Sequence, residues 1–207
     1  MYSKVTLKEF IDDLASSSPA PGGGAAGAYA AAIAAALTSM VANLTVNKKK
    51  YADYQGTMEE VIAYTKTMQL DLIDLISEDI EAFNKVMKSY KLPKDTDEKK
   101  KVRKEEIQKS LKEATETPMR LCEMMRNLFE YIEKVAKYGN KNAVSDAASA
   151  NELAYATFNI GSYNVMINLN AIKDESFVEE NKHLLNSYKK DVEEYYQKIK
   201  EISTRGF

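Results

Sequence analysis

The sequence predicts an all-α fold, a single-domain helical bundle, and three observations predict it. Apolar residues recur in steps of three and four along several long stretches, as they do on one-sided helices. No stretch of useful length alternates with period two, so no strand is expected. One segment, 24–41, is rich in alanine and glycine, whose small side chains let neighbouring backbones approach closely; it is expected to be a central buried helix. A chain of 207 residues fits one domain spanning 1–207, large enough to bury a substantial core.

Taken in order, "TLKEFIDDL" opens with Thr6 and Glu9 at capping-box spacing, and Leu7, Phe10, Ile11 and Leu14 share a face. "SSSPAPGGG" ends that helix, and the next is expected from about Gly24 to Val46, followed by a polar connection, "NKKKYADYQG". Thr57 and Glu60 read as a second capping box. Behind it an apolar stripe runs through Met58, Val61, Ile62, Thr65, Met68, Leu72, Ile76, Ile80, Phe83, Met87 and Tyr90. At ~1.5 Å per residue that is a helix of about 50 Å. Pro93 breaks it. A charged helix is expected over about 97–115, with Val102, Ile107 and Leu111 inward. Thr117 is then expected to cap a separate helix with Pro118 at its first position, carrying Met119, Leu121, Cys122, Met125, Leu128, Phe129 and Ile132 as far as Tyr138. "GNKN" reads as a turn, Ser145 as the cap of a helix to about Lys173, and a charged amphipathic helix follows from about Ser176 to Ser203.

Composition excludes some functions. A formal charge of -2 and a pI near 5.7 give no global attraction to nucleic acid or acidic membranes, so neither is an expected partner. The run Lys48-Lys49-Lys50 is a local exception at most. One cysteine, Cys122, forms no internal disulfide, which suits a reducing cytoplasm. The start, "MYSKVTLKEFIDDL", is too charged for a secretory signal. The alanine-rich segment is interrupted by Thr38 and Ser39 and reads as a helix buried in protein rather than a membrane span. With one histidine, His183, and one cysteine, no His/Cys zinc site and no Ser-His-Asp arrangement is expected.

Three features carry chemistry. Gly22-Gly23-Gly24 is followed by Ala25-Ala26 rather than by lysine and a hydroxyl, and a helix rather than a strand precedes it, so nucleotide motifs do not fit. The glycines either expose backbone N–H groups at a helix N-terminus for a ligand, or let the helix pack without side chains. Asp79 falls about 60° from Ile76 on a helical wheel, inside the arc of Leu72, Ile76, Ile80 and Phe83. A carboxylate there needs a partner: either a structural pair with Arg103 or Arg120, or a cationic substrate. Gly161, Asn164 and Asn168 share another helix face, where the amides either bond neighbouring helices or read a heterocycle. Asp146 suits the N-terminal turn of that helix.

Together "SPAPGGGAAGA", "EDIEAFNKVMKSYKLPKDTDEKKKVRKEEIQ", "TPMRLCE", "YGNKNAVSDAASA" and "NVMINLNAIKDESF" resemble the formiminotransferase-cyclodeaminase C-terminal-like family, over nearly the whole chain. The resemblance implies an all-helical homodimer without metal or nucleotide cofactor, acting on a tetrahydrofolate derivative. It implies that Asp79, in "DIEAF", is the catalytic residue. Pro21, Gly22, Gly23 and Gly24 are expected to form a wall of the folate pocket, with Lys94, Arg103, Asn164 and Asn168 as substrate-binding residues. Many relatives carry serine after the glycines; Ala25 here leaves only backbone N–H groups. The expected activity is hydrolysis of 5,10-methenyltetrahydrofolate to 10-formyltetrahydrofolate, since the chain length leaves no attached transferase. The alternative is formimidoyltetrahydrofolate cyclodeaminase, which releases ammonia. A third reading, a non-catalytic folate-binding or scaffold protein, makes Asp79 only structural.

Overall fold

A computed structural model describes residues 4–205 and contains six α-helices and no strand among them. They are α1 (Leu7–Leu14), α2 (Gly23–Asn43), α3 (Gln55–Tyr90), α4 (Asp97–Tyr138), α5 (Val144–Leu169) and α6 (Glu175–Thr204). Helix α2 packs chiefly on α3 and α5; α4 closes the ring against the same two, and α6 lies outside on α4 and α5.

The capping box of α1 forms: Thr6 Oγ1 accepts from the Glu9 N–H, and the Thr6 N–H donates to Glu9 Oε2 at 2.6 Å. Of its apolar face only Phe10 is buried, its ring stacked on Tyr29 at 5.3 Å; Leu7 and Ile11 are exposed. Helix α2 is central on one side only. Its alanines 25, 28, 31, 34 and 35 are buried, while Ile33, Met40 and Leu44 lie on an exposed outer stripe. It is long and apolar enough to cross a membrane, yet half of its most apolar window is buried inside the bundle. At Gly27 an added Cβ would sit 2.9 Å from Ile160 Cγ2, so glycine sets the close approach of α2 to α5.

Five local expectations fail. The Thr57–Glu60 capping box does not form. A 3-10 helix, Lys49–Tyr54, leads directly into α3 at Gln55, which places Thr57 inside the helix and leaves Glu60 Oε1 to accept from Lys134 Nζ at 2.7 Å. The connection is also not simply polar, because Tyr51 is buried and its hydroxyl accepts from the Lys141 N–H at 3.1 Å. Ser145 caps nothing; Asn140 takes that corner, with Oδ1 accepting from the Asn142 N–H and Nδ2 donating to the Leu44 carbonyl. Thr117 and Pro118 do not start a helix but lie within the 42-residue α4. Val102 faces outward, whereas Ile107 and Leu111 are buried as expected. The main core is shared by α2, α3, α4, α5 and α6, and Cys122 of α4 lies in it with its thiol pushed up to about 12 by burial.

Candidate functional site

A cleft of ≈ 310 Å³ opens where the N-terminus of α2 meets α3, α4 and α5. Three consecutive glycines start α2 there, and Gly22 takes the extended cap position. Their N–H groups have no earlier turn to bond and point out at the positive end of a 21-residue helix. From α3 come Asp79, Ala82, Phe83 and Val86, one face of the helix. From α4 come Ala114 and Pro118, and from α5 Asn164, Ile167 and Asn168.

Among the described residues Asp79 is the only ionisable side chain lining the cleft. Its carboxylate approaches Gly24 so closely that a Cβ at that position would overlap it. Burial raises its pKa above the ordinary carboxylate range, and the Ala25 N–H, donating from the first turn of α2, opposes part of that rise. No cation among the described residues offsets it. Arg120 Nη2 pairs with Glu78 Oε2 at 2.6 Å, and Arg103 donates to the Tyr90 carbonyl at 3.0 Å, so the expected pairing of Asp79 with either arginine is not made.

Gly22, Gly23, Gly24, Asp79, Asn164 and Asn168 are therefore brought together. Pro21 is buried directly behind this wall, after a cis Ala20–Pro21 bond. Lys94, exposed in the α3–α4 connection, and Arg103 do not line the cleft. His183 is exposed, and Asp146 sits in the first turn of α5. Ala114 and Pro118 carry no signal in the sequence as cleft residues, because a proline at helix-start spacing gives no sign that it lies mid-helix on a cleft wall. No group of three or more His, Cys, Asp or Glu converges as a metal site would among the described residues. A larger hollow, ≈ 540 Å³, lies between α3 and α4, but its Asp71 and Asp74 are exposed and its Glu78 is neutralised by Arg120.

Fold and cleft together define an all-helical protein with a cleft of small-molecule size whose one charged lining side chain, among the described residues, is a carboxylate. Residues 6–187 match the family described as Formiminotransferase-cyclodeaminase, and the chain belongs to that family. It is 41% identical over 180 residues to methenyltetrahydrofolate cyclohydrolase of Methylorubrum extorquens, covering 87% of this chain and 86% of that one. It is 32% identical over 183 residues to formimidoyltransferase-cyclodeaminase of Rattus norvegicus, covering 88% of this chain but 34% of the rat protein. The crystal structure of formiminotetrahydrofolate cyclodeaminase from Thermotoga maritima matches with a TM-score of 0.90 at 39% identity, covering 98% of this chain and 97% of the other. These relatives are named as enzymes.

Proposed function

We propose that the protein hydrolyses 5,10-methenyltetrahydrofolate to 10-formyltetrahydrofolate, with Asp79 as the catalytic residue. The observation that carries this reading is the Asp79 carboxylate, held by the Ala25 N–H but facing no cation among the described residues that line the cleft. The substrate's bridging carbon is held between N5 and N10 as a delocalised amidinium cation, and a partly desolvated carboxylate attracts it strongly. In that position Asp79 accepts a proton from water as the water oxygen bonds to the bridging carbon. The protonated carboxyl then returns the proton to N5 as the carbon–N5 bond breaks. The hydroxyl proton leaves to solvent and the formyl group stays on N10, so one water is consumed and one proton released. A raised pKa suits both roles, because the group is a better base when ionised and is more easily kept protonated until N5 departs. The glutamate carboxylates of a folate find no cation in the cleft and extend outside it.

A relative that matches this chain over most of both lengths, at 41% identity, is named as a cyclohydrolase, which supports this reading. The second reading has its own support in the Thermotoga maritima cyclodeaminase match. There the same carboxylate would aid departure of ammonia from the 5-formimino group. Purified protein assayed with both substrates separates them: loss of the methenyl chromophore is expected, and ammonia release without methenyl hydrolysis would overturn the first reading. Two copies associating through the exposed α2 stripe, in a reducing cytoplasm suited to a free thiol, complete the proposal.

A further inference from the structure

Pro118 lies inside α4 and has no N–H to give to the carbonyl four residues earlier, that of Ala114. A carbonyl left over in this way needs another donor. Asn168 of α5 supplies it, its Nδ2 donating to the Ala114 oxygen at 2.9 Å. Asn164, one turn before Asn168 and also on the cleft wall, donates its Nδ2 to the Ile160 carbonyl at 2.8 Å. Both amides are thus anchored through their nitrogens, and this fixes which end of each is nitrogen, since a carbonyl accepts only from the NH2. Among the described residues neither amide oxygen has a protein partner.

We propose that Asn164 and Asn168 meet the ligand through their amide oxygens, as a pair of neutral acceptors, and that Pro118 is the positioning residue that holds Asn168 in this orientation. The inference rests on the folate reading. Two neighbouring acceptors call for two neighbouring N–H donors, and the pterin end of a folate offers them at ring N3–H and the 2-amino group. Neutral readers also suit the electrostatics. A second carboxylate here would push the already raised Asp79 carboxyl further up. Carboxamides read the donor edge while leaving the single negative charge for the cationic one-carbon unit.

The test uses 5-formyltetrahydrofolate and its analogue with the 2-amino group replaced by methyl, titrated calorimetrically into wild-type protein. Wild type is expected to bind the analogue about tenfold more weakly, because an acceptor loses its donor. In Asn168→Leu that preference should largely vanish. Pro118→Ala, which returns a competing N–H to Ala114, should raise KM severalfold with little change in kcat, and should do nothing further in the Asn168→Leu background. Equal binding of the two ligands by wild type overturns the assignment, and needs no variant to fold. An effect of Pro118→Ala that persists undiminished in Asn168→Leu removes the positioning role. If the parent folate itself does not bind wild type, the folate reading falls, and this inference with it.

Discussion

The two walls of the cleft reach similar ends by different omissions. On the α2–α3 side the missing atom is a Cβ: glycine at position 24 lets the Asp79 carboxylate lie against the first turn of α2, beside the Ala25 N–H. On the α4–α5 side the missing group is an N–H: proline at 118 frees the Ala114 carbonyl for an amide of another helix. The first wall is charged and desolvated, the second neutral and fully anchored. Asp79 and Asn168 are each placed by something a neighbour lacks, so adding a single small group to that neighbour should displace them.

Removing the charge of the first wall is expected to have the largest effect. Asp79→Asn should lower kcat roughly a thousandfold, within the range for loss of an acid–base group, with the helical circular dichroism unchanged. A comparable kcat in the variant would strike Asp79 from the mechanism. The same substitution should not lower Tm. Burial raises the folded-state pKa of Asp79 above its unfolded value, so the folded state binds the proton more tightly. Stability contributed by this group is therefore present below the unfolded value and is lost as pH rises through the raised one; asparagine escapes that loss at neutral pH.

Gly24→Ala comes next. The added methyl displaces the carboxylate, and kcat should fall at least tenfold, within the general acid–base range. Helix propensity meanwhile improves by up to ~1 kcal/mol, so the fold survives. Combined with Asp79→Asn it should cost little more, and additive losses would show that Gly24 acts by another route. The pH profile of kcat/KM is a milder probe. Its acidic limb should lie above the ordinary carboxylate range, with activity rising as Asp79 ionises, and should disappear in Asp79→Asn. The smallest effect is expected outside the cleft. Arg120→Ala breaks a half-exposed pair with Glu78 and should change stability by less than ~1 kcal/mol in thermal unfolding, leaving kcat unaltered.

How much could be read from the chain follows the same division between local and distant causes. The capping box of α1 needs only Thr6 and Glu9, three residues apart, and it formed as read. The placement of Asp79 beside apolar neighbours followed from helical periodicity alone, as did the buried run from Met119 to Ile132 in α4. The same local rules misread Thr57, because buried Tyr51 and its contact with Lys141 fix where α3 begins. They misread Pro118 because its acceptor's new partner lies 54 residues away from Ala114 in the chain. Arg103 and Arg120 were plausible partners for Asp79 by residue type. The geometry that sends one to Tyr90 and the other to Glu78 is tertiary, and nothing in the sequence announces it. The family resemblance supplied what periodicity could not, a reason to group segments far apart along the chain.

The lone cysteine has a use that follows from its place in the core. Cys122 is fully buried and its thiol is held far from ionisation, so an aqueous disulfide reagent meets a reactive thiolate only when α4 and α5 separate. The rate of labelling of unmodified protein is then a clock for opening of the bundle. A folate that binds the closed form should slow that clock in proportion to its occupancy, giving a binding assay that requires no turnover.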